Sequence, residues 1–157
     1  MLLIDAANVV GSRPTGWWRD RAGAARAFVE RVRAAVDSGR IDPPVAVVLE
    51  GAAREGVEGG LAEGVDVIHA AGSGDEAILD AVTNAADQAV VVVTADRALR
   101  RQAVALGADV VGPSWLLDLL DAASPRPSPT IGLHELGESS QPRLGCSRRT
   151  ETDDSEP

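Results

Sequence analysis

Residues 1–8, MLLIDAAN, and residues 89–96, AVVVVTAD, decide the fold. Each holds a short apolar run, too short for a helix, that gives way to an aspartate. A run that is apolar at every position, rather than at alternate ones, fits a strand buried on both faces. Met1–Ile4 and Ala89–Val93 are therefore read as strands. Between and beyond them, helical and strand patterns alternate. From Asp20 to Asp37 the residues Ala25, Phe28, Val29, Val32 and Val36 recur at three- and four-residue intervals, and Ser38-Gly39 supplies helix-stop chemistry, which predicts a helix. Val45–Leu49, introduced by Pro43-Pro44, and Val65–Ala70 read as strands. Asp75–Ala86 places Ile78, Leu79 and Val82 on one helical face. Asp96–Leu106 repeats that spacing through Leu99 and Ala103 and stops at Gly107. Asp109–Val111 reads as a short strand and Trp115–Leu120 as a last helix, while the Gly- and Pro-containing stretch after Ile4 reads as a loop. Helices alternating with apolar central strands predict a three-layer α/β sandwich with a central, mainly parallel sheet.

This pattern occupies residues 1–121 of the 157, and 45% hydrophobic content is enough for one buried core. Residues 122–157, punctuated by Ala-Ser-Pro-Arg-Pro-Ser-Pro-Thr at 123–130, are polar and proline-spaced and read as a disordered tail. No apolar stretch approaches the roughly 20 residues of a membrane span, and no charged-then-apolar leader opens the chain, so a soluble cytoplasmic protein is expected. Cys146 is the single cysteine, which excludes an internal disulfide framework and a thiolate zinc cluster. Any metal must then be bound by oxygen, or by His69 or His134, and His134-Glu135 lacks the second histidine of a zinc-protease helix. The net charge of -9 argues against adhesion to nucleic acid through bulk electrostatics, leaving that task to local arginines. Every base is an arginine, which we attribute to codon composition.

In parallel α/β sheets, ligands lie beyond the carboxyl ends of the strands. Four acids stand there: Asp5 after the first strand, Glu50 after the second, Asp75 in the Gly-Ser-Gly-Asp turn after the third, and Asp96 just past the fourth. Carboxylates gathered on one rim repel one another in a partly dry cleft, and hard oxygen-preferring cations, Mg²⁺ or Mn²⁺, suit such a cluster. Phosphodiester hydrolysis is the chemistry that follows. Each acid also has a plainer reading. Asp75 and Asp96 open helices and can act as caps. Ser73-Gly74-Asp75-Glu76 matches a capping box in which Ser73 caps and Glu76 reaches back. Asp80 lies on the face of Glu76, as a supporting acid or a solvated one. Glu50 can simply face water, and Asp5 can belong to a turn in which Asn8 bonds the loop backbone and fixes the carboxylate's direction.

Asp5-Ala6-Ala7-Asn8-Val9-Val10-Gly11 resembles the opening Asp-x-x-Asn signature of the NYN branch of the PIN-like nucleases. Val48-Leu49-Glu50-Gly51 resembles that family's second-strand motif, and Gly74-Asp75-Glu76-Ala77-Ile78 its acidic helix start. Val92 to Leu99, with Gly107-Ala108-Asp109-Val110 and Trp115-Leu116-Leu117, is similar to the third acidic motif and final unit of the bacterial NYN subgroup. The four motifs occur in order over residues 1 to about 120. The resemblance implies a PIN-like sandwich, Mg²⁺- or Mn²⁺-dependent ribonuclease activity, and an acidic site in which Asp5, Asp75 and Asp96 are catalytic. The chain departs from the pattern at Glu50, where aspartate is commoner, at Gly72–Gly74, which carry no base, and at Arg97-Ala98, where many members carry a further carboxylate. A thinner metal site follows, with one tightly held ion and any second ion arriving with substrate, in place of a preformed pair.

The loop from Gly11 to Asp20 carries Arg13, Trp17, Trp18 and Arg19, a mixture suited to stacking unpaired bases and holding phosphates, which points to single-stranded RNA. At least one of the two tryptophans is expected to pack into the core. Asn8, Arg13, Trp17 and Arg97 are the candidate substrate-binding residues, with Arg54 a further phosphate contact on the Gly-rich connection. The alternative to a nuclease is a degenerate RNA-binding or protein-interaction module that keeps the fold without turnover, and a homodimer is among the open oligomeric states. A phosphatase lacks the second aspartate of an aspartyl-phosphate mechanism, and a P-loop is absent.

Overall fold

A computed structural model describes residues 1–122, Ala86 excepted. The tail assigned to 122–157, with His134 and Cys146, lies outside the described residues beyond Ala122. The elements in chain order are β1 (Leu2–Asp5), α1 (Ala6–Gly11), a 3-10 turn (Trp17–Arg19), α2 (Arg21–Asp37), β2 (Val45–Leu49), a second 3-10 turn (Gly51–Gly56), β3 (Gly60–Ala62), β4 (Val65–His69), α3 (Gly74–Asn84), β5 (Val91–Val93), α4 (Arg97–Ala105), β6 (Asp109–Val111) and α5 (Pro113–Asp121).

Burial on both faces accounts for the unbroken apolar runs of β1 and β2. Successive side chains of β1 and β2 alternate between two cores. Leu2, Ile4, Val45, Val47 and Leu49 join Phe28, Val29 and Val32 of α2 and Leu116 of α5 on one face. Leu3, Ala46 and Val48 join Ile78 of α3, Leu99 of α4 and Val92 on the other. Each large side chain so buried contributes about 1.5–3 kcal/mol. The layers are therefore α1, α2 and α5, then the sheet, then α3 and α4: the expected three-layer sandwich, consistent with a PIN-like fold.

The sheet has six strands in the order β3-β4-β2-β1-β5-β6. Every pairing is parallel except β3 with β4. β1 runs down the middle, with Leu2 to Asp5 opposite Val45 to Val48 on one side and Leu2 to Ile4 opposite Val91 to Val93 on the other. Helix α2 is capped by Asp20, whose side chain accepts the Gly23 N–H at 2.7 Å. Beyond the end of α4, Gly107 takes the positive φ of 92° that an L side chain resists, as its position in the sequence led one to expect.

Three elements depart from the sequence reading. The stretch after Ile4 is not all loop, because Asp5 caps a six-residue helix, α1, whose Ala6 and Val9 are buried. Residues 51–56 form a 3-10 turn packed on α2. β3 is an antiparallel edge strand joined to β4 through Glu63 and Gly64, whose φ values of 53° and 76° suit a type I′ turn. Glu-Gly is not the Asn-Gly pair that advertises such a turn, and exposed Leu61 and Ala62 carry no alternation to signal a strand.

Candidate active site

The strand order places the four strand-end acids on one edge. β4, β2, β1 and β5 are consecutive neighbours and mutually parallel, so their carboxyl ends lie side by side, about 4.8 Å per strand step. Asp75 follows β4, Glu50 follows β2, Asp5 ends β1 and Asp96 follows β5. The chain leaves β1 toward β2 on one side and later returns to β5 on the other. The edge between β1 and β5 is thus a point where strand order reverses, the usual crevice for a ligand in such sheets.

Asp5 is held most firmly, at 5% exposure. Its Oδ1 accepts the Asn8 backbone N–H at 3.1 Å, and its Oδ2 accepts the Asn8 amide at 2.8 Å and the Thr94 hydroxyl at 2.9 Å. Asn8 therefore fixes the carboxylate directly, not through the loop backbone, because Asp5 is the N-cap of α1. Thr94, fully buried directly after β5, also accepts the Asp96 N–H at 3.1 Å. One hydroxyl thus links the two central acids. The sequence reading passed over Thr94; the available signal was a hydroxyl closing an otherwise apolar buried strand, which needs partners.

The other acids divide between capping and freedom. Asp96 caps α4, its Oδ1 accepting the N–H groups of Ala98 at 2.7 Å and Leu99 at 2.8 Å. Glu50 reaches across to α3, where its Oε2 accepts the Gly74 N–H at 2.7 Å. A Cβ on Gly74 would sit 3.0 Å from that same oxygen, so glycine permits the close approach. Ser73, not Asp75, caps α3, accepting the Glu76 N–H at 3.3 Å; the return arm of the capping box is absent among the described residues. Asp75 is exposed in the first turn of α3 and makes no hydrogen bond among the described residues. Its pKa is raised above the ordinary aspartate value, first by partial burial of the carboxyl and then by the charges of Asp5, Asp96 and Glu50. The charges of Asp5, Asp96 and Glu50 thus reach Asp75.

Among the described residues, no three His, Cys, Asp or Glu side chains stand close enough together to hold a metal ion. Hydrogen bonding explains the spread, since Asp5, Asp96 and Glu50 are each turned toward backbone or side-chain donors. The donor chemistry nevertheless suits a hard cation. All four groups are carboxylates, and Asp75, Asp96 Oδ2 and Glu50 Oε1 accept no hydrogen bond among the described residues. A divalent ion would offset both the burial of the Asp75 carboxyl and the repulsion from its neighbours.

Of the candidate substrate-binding residues, Asn8 is engaged with Asp5. Arg13 is paired with Asp121 of α5, which also accepts from Arg31 at 2.5 Å. That carboxyl is held below its ordinary pKa, chiefly by the Arg13 hydrogen bond. Arg97 is exposed at the start of α4, directly after Asp96, and makes no hydrogen bond or ion pair among the described residues. Arg54 is used internally, donating to Gly51 O at 3.2 Å and Ala70 O at 3.1 Å. Neither neighbouring tryptophan enters the core: Trp17 is half-buried and Trp18 is 55% exposed. Their short 3-10 turn lies between α1 and α2, outside both hydrophobic clusters.

The sequence matches no family model and no curated protein. Among solved structures the chain is similar to the crystal structure of Rae1 (YacP) from Bacillus subtilis, determined as a tryptophan-to-leucine mutant. The two share 20% identity and a TM-score of 0.56 over 76% of this chain and 72% of that one. The likeness is one of fold, and it agrees with the three-layer α/β sandwich around a mainly parallel sheet. Among the described residues, no helix is long and apolar enough to cross a membrane.

Proposed function

We propose that the domain is a metal-dependent endoribonuclease that hydrolyses RNA phosphodiester bonds at the carboxyl edge of the sheet. Asp5, Asp75 and Asp96 are its catalytic acids, and Glu50 joins them as a ligand for Mg²⁺ or Mn²⁺. The observation that carries this reading is the alignment of four acids at the ends of four adjacent parallel strands, where partial burial and then the charges of the other three raise the proton affinity of Asp75. Acids assembled from separate stretches of chain at mutual electrostatic cost point to a cation as partner. A bound divalent ion supplies Lewis acidity at the phosphoryl oxygen and acidifies a water molecule. The chain's own part is orientation. Asn8 and Thr94 hold Asp5 in one direction, and the α4 N-terminus holds Asp96. Asp75, without an internal bond, is free to turn toward an ion. Arg97 stands beside Asp96 to contact a backbone phosphate of single-stranded RNA.

The test is cleavage of single-stranded RNA with Mn²⁺ or Mg²⁺ by the wild type and by Asp75→Asn and Asp96→Asn. Asparagine is as good an N-cap as aspartate, so Asp96→Asn retains the helix while removing the charge. Loss of cleavage in both folded variants is expected. Equal cleavage by the variants would refute the assignment. The second reading, a degenerate RNA-binding or protein-interaction module, is favoured by the spread of the acids in the structure and by Arg97-Ala98 after Asp96. Calorimetric titration with Mn²⁺ separates the two: no ion uptake together with retained RNA affinity selects the module.

A further inference from the structure

The outer face of α4 carries Arg97, Arg100 and Arg101, all exposed, and the helix, RALRRQAVA, holds no acid. Elsewhere the fold uses its arginines. Arg13 and Arg31 pair with Asp121, Arg33 pairs with Glu63, and Arg40 and Arg54 donate to backbone carbonyls. The three of α4 make no hydrogen bond or ion pair among the described residues, while Leu99 and Ala103 are buried on the opposite side of the helix. Arg97 and Arg100 stand in its first turn, where the helix dipole favours carboxylates over cations. Arg100 and Arg101 follow Arg97 by three and four residues, the spacings at which like charges on a helix repel. Stability of the fold therefore does not account for this cluster, in a chain whose net charge is -9.

We infer that this face is a track for the phosphates of single-stranded RNA, which leaves the acidic rim past Arg97 and runs on over Arg100 and Arg101. The inference rests on the RNA reading above, though not on turnover, and it makes the substrate a strand of several nucleotides rather than a dinucleotide. The place of the helix in the fold sets the path. Because α4 follows β5, it begins at the carboxyl edge beside Asp96, and its rise carries Arg101 about 6 Å beyond Arg97. The charges that reach Asp75 are those of Asp5, Asp96 and Glu50, with no arginine among them, so the acidic and basic surfaces adjoin without neutralising each other. A guanidinium donates to phosphate oxygens in pairs, and three on one face suit an anion that repeats along a chain. Continuity of the face with the rim favours RNA over an acidic peptide, which has no phosphodiester bond for the acids to cut.

The experiment follows the fluorescence anisotropy of labelled oligo-uridylate, about ten nucleotides long, in EDTA so that cleavage plays no part. Arg100→Gln/Arg101→Gln, which leaves Arg97 in place, removes two phosphate contacts. Each contact to a single strand adds about 0.7 to the slope of log affinity against log salt, so between about 50 and 200 mM salt the parent should lose about sevenfold more affinity than the variant. Arg100→Lys/Arg101→Lys keeps both charges and should keep the slope. Val104→Glu sets a carboxylate on the same face, within reach of both arginines, at a position already 59% exposed, and should weaken binding severalfold. Neither the glutamine nor the glutamate variant should melt lower than the parent, since glutamine matches arginine and glutamate exceeds valine as a helix former. Equal salt slopes in the parent and the glutamine variant would overturn the track. Oligo-glutamate binding as tightly as the RNA, with the same dependence on Arg100 and Arg101, would overturn it too, because the face would then belong to an acidic peptide. RNA cleavage in Mn²⁺ with the same KM in the parent and the glutamine variant removes this inference alone; arginine-dependent binding without cleavage removes the nuclease reading and leaves the track.

Discussion

Thr94→Val removes one hydroxyl and changes little else, which makes it the sharpest probe of the acidic edge. The side chain is fully buried, and its Oγ1 donates to Asp5 Oδ2 at 2.9 Å while accepting the Asp96 N–H at 3.1 Å. A hydrogen bond to a charged group contributes about 1.5–3 kcal/mol, and an ordinary one about 1 kcal/mol. Valine can replace neither, so Thr94→Val should cost about 2–4 kcal/mol. That is a large share of the roughly 5–15 kcal/mol that keeps a domain folded. Thr94→Ser keeps the hydroxyl and loses one methyl group, for about 1 kcal/mol. Equilibrium unfolding in urea reads both differences as shifts in midpoint at constant slope. A cycle with Asp5→Asn should recover a coupling of about 1 kcal/mol or more, since the two side chains touch. If Thr94→Val costs no more than Thr94→Ser, the hydroxyl is not bridging the acids and the account of how Asp5 is aimed is wrong.

Asp75→Asn should raise the melting temperature at pH 7 in EDTA. The folded-state pKa of Asp75 lies above its unfolded value near 3.9, so between the two the folded chain binds more protons and stability falls as pH rises. Above that window the charged carboxylate carries the full penalty, and below about pH 3 both states are protonated and the advantage of asparagine should vanish. A variant that melts no higher than the parent at pH 7 would contradict the electrostatic account. Gly56→Ala should destabilise the domain by about 1–3 kcal/mol or more, because its Cβ would lie 2.0 Å from the Ala22 carbonyl oxygen, where α2 meets the second 3-10 turn. Gly59→Ala, whose nearest neighbour would be 3.4 Å away, serves as the control, and equal melting temperatures for the two would refute the close approach.

The resting arrangement of the edge bears on how an ion would enter. Three of the four acids already stabilise the fold, Asp5 and Asp96 as caps and Glu50 as a brace on α3. Capping and ligation do not exclude each other, since a carboxylate has about four acceptor sites and a helix N-terminus orients it without exhausting them. Asp75 differs in having no such duty and in bearing the repulsion of the others. It is the acid whose conformation an ion would change most.

The continuous apolar runs at 1–4, 45–49 and 89–93 were enough to determine the sandwich, because only strands covered on both faces tolerate valine and leucine at every position. The carboxylates that follow those runs and the 65–70 strand were equally legible, and parallel pairing sent Asp5, Glu50, Asp75 and Asp96 to one edge. α1 escaped because a helix of six residues is too short to establish a period, and the β3 edge escaped because its turn uses Glu63 where asparagine would have announced it. Only the tertiary structure could decide which duties the acids carry. Whether a carboxylate caps its own helix, braces another or stands free depends on donors that are distant in sequence, such as Thr94 for Asp5 and Gly74 for Glu50. Strand order made those distant residues neighbours, because it set β4, β2, β1 and β5 side by side.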